Sequence, residues 1–164
     1  MRTIMELYKV EKMLESRGIT SESLANIVYE NQITHNPELV QADAYMAVGE
    51  VMANPIVQDY IFTMLLLDEL VENNHVDSKY QSLASKIAND DPMFGVDEHL
   101  AFGIASLYGT IATTNYGYED RMKRGIIGEL DQDKEHINTF ADDLAGAIIA
   151  AAASVLANEQ LKVG

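Results

Sequence analysis

Two adjacent aspartates, Asp142 and Asp143, stand directly in front of an uninterrupted run of small and apolar residues, Leu144 to Ala153. Small residues let helices approach closely, so the run is read as packing surface, within a bundle or between subunits. With Ile137, Phe140, Leu144, Ala147 and Ile148 around them, the two aspartates are read either as a solvated face or as a metal or proton site. A carboxylate there must be hydrated, paired or bound to a cation. The theme recurs nearby. Asp97-Glu98 interrupts a segment otherwise written Phe94, Val96, Leu100, Phe102, Ile104 and Leu107, and Asp120 lies between the two pairs. Several such acids converging on one point would repel one another strongly unless a divalent metal neutralised them.

The chain between these acids reads as helical almost throughout. Met5 to Glu15 forms a first amphipathic helix, with Gly18 where a helix-ending glycine belongs. Thr20 and Ser21 offer caps for a second helix through Leu24, Ile27, Val28 and Ile33. Asn36-Pro37 predicts the start of a third, running through Val40, Ala44, Val48 and Val51 until Asn54-Pro55. The segment Ile56 to Glu72 is apolar on most sides and is expected to be the central, buried helix. A short helix over Ser78 to Ile87, a turn at Asn89-Asp90-Asp91-Pro92 and a long helix from Phe94 to Ala112 follow. Thr113 to Asp133, rich in Gly, Asn and charge, predicts a loop with a short helix. The last helix is expected over Lys134 to Lys162, which would set Asp142-Asp143 beyond its first turn. No useful β alternation occurs. The expected fold is all-α: one domain over residues 1–164, six to seven helices around a central one.

Composition removes whole classes of function. The chain has 26 acids against 11 bases, a net charge of −15, and no Lys/Arg-rich run, which argues against nucleic-acid binding. The same excess of acids disfavours electrostatic docking on anionic lipid. Cysteine is absent, so disulfides, thiolate metal sites and cysteine nucleophiles are all excluded. Acids throughout the first residues do not fit a signal peptide, and no purely apolar run approaches the ~20 residues that a spanning helix needs. A cytoplasmic protein is expected, at most peripheral at the inner face of a membrane. His35, His75, His99 and His136 share no ligand spacing.

Asp97-Glu98 also fits a simpler role, since acids in a first helical turn complement the positive end of the helix dipole. For Asp68-Glu69, at the end of the apolar fourth helix, a solvated helix end is the expectation. Arg121, Lys123 and Arg124 gather three of the 11 bases within four positions. Such a patch suits phosphate oxygens, and beside a carboxylate-held metal it would complete a phosphoryl-transfer site.

Gly95-Val96-Asp97-Glu98, Tyr108-Gly109, Thr114-Asn115-Tyr116-Gly117-Tyr118 and Thr139-Phe140-Ala141-Asp142-Asp143-Leu144-Ala145-Gly146-Ala147 together resemble the phosphatidylglycerophosphatase A family. The likeness is to its soluble, YutG-like branch and covers essentially the whole chain. Membrane-embedded members show a comparable Asp-Glu pair, an Asp-x-x-Lys step and a late Asp-Asp before small residues. Here these match Asp97-Glu98, Asp120 to Lys123, and Asp142-Asp143. In related sequences a proline often follows the lysine; here Arg124 does. The resemblance implies an all-α fold and magnesium-dependent hydrolysis of the terminal phosphomonoester of phosphatidylglycerophosphate.

On that reading Asp97, Glu98, Asp142 and Asp143 hold one or two Mg²⁺ ions. Asp120 and Asp143 are the candidate catalytic carboxylates, Asp120 by orienting the attacking water. Lys123, with Arg121 and Arg124, binds the substrate's phosphate. A homo-oligomer is expected from the small-residue stripe. Two rival readings remain: a soluble phosphatase of a small cytosolic phosphomonoester, and a non-catalytic acidic helical module that binds a cation.

Overall fold

Cap chemistry sets most helix ends. The computed structural model describes residues 2–163, and α1 (Arg2–Glu15) closes through Gly18 at φ +78°. α2 (Ser21–Gln32) is capped reciprocally: the Thr20 hydroxyl accepts from the Ser23 amide, and the Thr20 amide donates to the Ser23 hydroxyl, both at 3.0 Å. α4 (Pro55–Glu72) begins with Asn54 accepting from Ile56 N–H and proline in the first turn. A 3₁₀ turn, Ser78–Tyr80, leads into α5 (Gln81–Ala88).

Four boundaries differ from the sequence expectation, each for a local reason. α3 spans Gln41–Ala53 rather than starting at Pro37. The Asn36 side chain instead accepts from Glu38 N–H at 3.2 Å in a separate turn, and Asp43 accepts from Val40 N–H at the true helix start. The long helix expected over Phe94 to Ala112 is two, α6 (Val96–Ser106) and α7 (Thr110–Met122). Gly109 at φ +87° separates them, and Ser154 fixes the break by donating its hydroxyl to the Tyr108 carbonyl at 2.8 Å. Thr113 to Asp133 is therefore mostly helical, as the rest of α7 and α8 (Ile126–Gln132). The last helix, α9 (Ala141–Val163), starts at Ala141 rather than Lys134, so Asp142 and Asp143 fall inside its first turn.

The centre of the bundle is α9, not α4. Residues Phe140 to Ala153 are buried without exception, and α2, α3, α4, α6, α7 and α8 all pack on α9. α4 leaves Ile56 and Leu66 each more than half exposed. The Leu144 to Ala153 run is thus intramolecular packing surface. Its alanines and Gly146 let neighbouring backbones close in, while Leu144, Ile148 and Ile149 supply volume. Full burial of such branched side chains contributes about 1.5–3 kcal/mol each before entropy is counted. By length and composition α9 could cross a membrane, but 72% of its apolar window is buried inside the bundle.

Asp68 determines where α9 begins. It is completely buried, and its carboxylate accepts from Phe140 N–H at 3.0 and 3.1 Å and from Ala141 N–H at 2.9 Å. These are among the amides that a helix N-terminus leaves without partners. The solvated helix end expected for Asp68 is therefore a remote cap, supplied from another helix. One turn further on, Glu72 accepts from Ile137 N–H at 2.8 Å and from Arg17 at 2.6 Å. Thr139 donates to the Ile87 carbonyl at 2.6 Å, and residues 134–140 are held as a loop on α4 and α5. Burial raises the Asp68 carboxyl to about 7, against the lowering effect of the two amides and Arg17.

Replacing Asp68 with alanine strands two buried amides, each costing about 1–3 kcal/mol when unpaired. Part is offset because the carboxylate no longer has to be buried. Asp68→Ala is therefore expected to lose about 2–4 kcal/mol in urea unfolding, with Asp68→Asn, which keeps one acceptor oxygen, falling between it and wild type.

Candidate functional site

Two helix N-termini meet where α6 packs on α9, and each brings an acidic pair in its first turn. Asp97, Asp142 and Asp143 are buried, whereas Glu98 faces solvent. Helix N-termini favour negative charge, yet three buried carboxylates exceed what two dipoles compensate. The excess appears in their protonation. Burial first, then the charges of Asp142 and Asp97 and a hydrogen bond with Asp97, push the Asp143 carboxyl up to about 10. Asp142 is raised by burial to about 6, held down by the charge and hydrogen bond of Lys123. At neutral pH Asp143 therefore keeps its proton, as one carboxyl among several like charges must.

α7 supplies the remaining partners. Tyr116 donates its hydroxyl to Asp143 at 3.2 Å, and its own ionisation is strongly suppressed by burial and by that neighbour. Lys123 donates to Asp142 at 2.9 Å and lies 3.4 Å from Asp120 and 3.7 Å from Asp131. Burial works against the Lys123 charge, but Asp142, Asp143 and Asp120 outweigh it and raise the ammonium above its ordinary range. Partial loss of hydration, then Asp120 and Asp97, raises Glu98. Asp97, Glu98, Asp120, Lys123, Asp142 and Asp143 thus belong to one cluster.

The three bases do not form one patch. Arg121 is exposed and makes no ion pair among the described residues. Arg124 is held by Glu119 at 2.8 Å and by Asn31 of α2, with its guanidinium 5.3 Å from the Tyr118 ring centre. Glu119 is itself fully buried and also accepts from Asn31 at 2.6 Å. Arg124 therefore anchors the end of α7 instead of offering a free cation to the site. That end is conformationally demanding. Lys123 adopts the left-handed conformation at φ 49°, and a Cβ at Gly128 would lie 2.3 Å from the Lys123 carbonyl oxygen. Only glycine lets α8 close under this turn.

Sequence reasoning passed over several members of the site. Asp90, in the α5–α6 turn at φ 47°, is raised by lost hydration and by Asp97, and in turn raises Asp142. The sequence marks Asp90 as a turn residue only, a role to which Asp tolerance of φ > 0 is well suited. Asp131 was hidden in the segment expected to be a loop. Tyr116 lay within a recognised motif, but nothing in the spacing identified a hydroxyl aimed at Asp143.

The donor set consists only of carboxylate oxygens at helix N-termini, with a proton and an ammonium supplying positive charge. Hard oxygen donors with excess negative charge fit Mg²⁺. As the side chains stand, no three Asp, Glu or His residues among those described are grouped closely enough to grip an ion.

Residues 8–158 match the model of the family described as phosphatidylglycerophosphatase A. The uncharacterised protein YutG from Bacillus subtilis (strain 168) is 37% identical over 92% of this chain and 89% of its own length. The crystal structure of protein ypjQ from Bacillus subtilis superposes with a TM-score of 0.91 at 33% identity, covering 99% of both chains. That of the low temperature requirement C protein from Listeria monocytogenes gives 0.88 at 35% identity, over 94% of this chain and 96% of that one.

Two outcomes follow from the cluster. A carboxyl whose pKa is raised by folding stabilises fully below its unfolded value and loses that contribution as pH rises through the folded one. Metal-free protein should therefore lose stability progressively from about pH 4 upward, across the ranges of Asp142 and Asp143 at about 6 and about 10. Asp143→Asn should abolish the upper part of that decline and melt about 2–4 °C higher than wild type in EDTA at pH 8, equivalent to roughly 1 kcal/mol. Separately, Gly128→Ala should cost about 1–3 kcal/mol in urea unfolding, because the clash is with backbone.

Proposed function

This chain belongs to the phosphatidylglycerophosphatase A family, a family of phosphatases, and we propose that it hydrolyses the terminal phosphomonoester of phosphatidylglycerophosphate in a Mg²⁺-dependent reaction. The observation that carries this reading is the meeting of Asp97, Asp142 and Asp143 at two helix N-termini with Lys123 among them. Such a site holds surplus negative charge beside the single ammonium of Lys123, which is the charge arrangement that phosphate and a divalent ion complete together.

Asp97, Glu98, Asp142 and Asp143 would hold the metal. When bound, Mg²⁺ supplies the positive charge that lets a phosphate dianion sit beside carboxylates and stabilises charge on the transferring group. The chain's own groups do the rest. Lys123 exchanges part of its contact with Asp142 for a phosphate oxygen and offsets charge on the transferring phosphoryl. Arg121, exposed at the same end of α7, would meet the phosphate from solvent. Asp120, half-exposed and next to Lys123, orients water and takes its proton as the water oxygen bonds to phosphorus. The ester P–O bond breaks, and the departing alkoxide is protonated from solvent on the open, Glu98 side. Asp143, fixed by Tyr116, completes the carboxylate set. The protein would act from the cytoplasm, as a peripheral visitor to the membrane surface.

Phosphate release from short-chain phosphatidylglycerophosphate in mixed micelles tests the reading. Wild type should turn over with Mg²⁺ and stop in EDTA, and Asp143→Asn should lose at least a hundredfold in kcat with its helical circular dichroism intact, on the scale of deleting a group that acts in the transition state. Lys123→Met should lose activity comparably. Release from soluble phosphomonoesters alone would keep the chemistry and replace the substrate. Metal-dependent melting without any release would leave a cation-binding module.

A further inference from the structure

Three carboxylates from three helices surround the Lys123 ammonium: Asp142 of α9 at 2.9 Å, Asp120 of α7 at 3.4 Å and Asp131 of α8 at 3.7 Å. Asp131 stands where its own helix gives it no support. It lies in the last turn of α8, where the negative end of the helix dipole disfavours an acid. Asp133, two residues on, is fully employed: it accepts from the Glu135 and His136 amides at 2.8 and 3.3 Å and pairs with the His136 ring at 2.8 Å. Asp131 has no such task, and among the described residues its one ion pair is with Lys123. Gly128 brings it there. That glycine lets α8 close under the Lys123 turn, and Asp131, three residues further on, shares its face of the helix. Asp131 is exposed, so pairing with Lys123 buries no second charge. A shift of about 1 Å carries the ammonium to charge-assisted hydrogen-bond distance from it.

We propose that Asp131 is a positioning residue: it receives the Lys123 ammonium when a divalent ion takes Asp142, which frees that carboxylate for the metal and keeps the ammonium beside the phosphate. The proposal rests on the reading of Asp142 as a metal ligand. With an ion bound, two of the three partners of Lys123 have other work, Asp142 on the metal and Asp120 on the attacking water. A half-buried ammonium left without an anion would stay on Asp142, in competition with the ion, because a charge there has to be paired. Asp131 is the partner that remains. It touches neither ion nor substrate and acts only through Lys123, so its effect disappears when the ammonium does.

The test is a double-mutant cycle read by isothermal titration of the metal-free full chain with Mg²⁺, in the absence of substrate. Asp131→Asn should weaken the Mg²⁺ Kd about tenfold, and Asp131→Glu should bring it back to within about threefold of wild type, on the scale of coupling between contacting charges. In the Lys123→Met background, Asp131→Asn should change the Kd by less than about twofold. Lys123→Gln takes the place of Lys123→Met if that variant loses the helical circular dichroism of wild type. Equal weakening in both backgrounds would make Asp131 a ligand or a bare source of field, and would overturn the exchange. So would a Kd indifferent to Asp131→Asn, a loss that Asp131→Glu does not repair, or a wild type that binds no Mg²⁺. Phosphate release in the micelle assay is read separately. Coupling through Lys123 with no release removes the phosphatase reading and keeps the exchange. Mg²⁺-dependent release with no coupling does the reverse.

Discussion

The carboxylate of Asp68 does for α9 what no residue of its own segment does. A helix N-terminus buried in a bundle has amides that water cannot reach, and their partners must come from elsewhere in the fold. Asp68 supplies them from α4, and Glu72 secures the preceding loop one turn later. The register of α9 follows from this contact. It places Asp142 and Asp143 in the first turn, facing α6 and α7, and it delivers Ser154 to the α6–α7 break. Site and scaffold are therefore fixed by the same pair of acids, neither of which belongs to the cluster itself.

The cluster is a place where the fold gives up stability. Three buried carboxylates with one lysine and one tyrosine cannot all ionise, and a proton remains on Asp143 well above the usual carboxylate range. A hydrophobic core this well filled could accommodate neutral residues at these positions more favourably. Buried carboxylates beside helix N-termini, with the Lys123 ammonium raised above its ordinary range, are perturbed electrostatics of the kind that clusters at functional sites. The Asn31–Glu119–Arg124 set, by contrast, joins the buried Glu119 through one carboxylate oxygen to two half-buried side chains and holds the end of α7.

Much of this was legible in the residues. The all-α class followed from spacing and caps, and Thr20, Asn54 and Gly18 marked their helix ends correctly because cap chemistry is local. The acidic pairs were visible because charge inside apolar sequence is conspicuous. What could not be read depended on long-range partners. Asp68 looked like a wet helix end because its amide partners lie more than 70 residues away. α7 looked like loop because its buried face is Ala112, Tyr116 and Glu119, and a buried glutamate erases hydrophobic periodicity. The break at Gly109 fell within an apolar pattern that continued across it. α4 looked central because its sequence is the most apolar, yet the run of small residues in α9 permits the closer packing that places it at the centre.

The left-handed turn at Lys123 ties the reach of its ammonium to the residue that comes next. A proline forces the residue before it toward extended backbone, whereas Lys123 here has φ 49° and ψ 49°. With arginine rather than proline at the next position, that conformation is permitted, and the guanidinium then locks it through Glu119 and Asn31. A proline at position 124 would remove both the conformation and its lock, and the Lys123 ammonium would lose this approach to Asp142. Where the ammonium stands is thus decided as much by the residue that follows the lysine as by the lysine's own side chain.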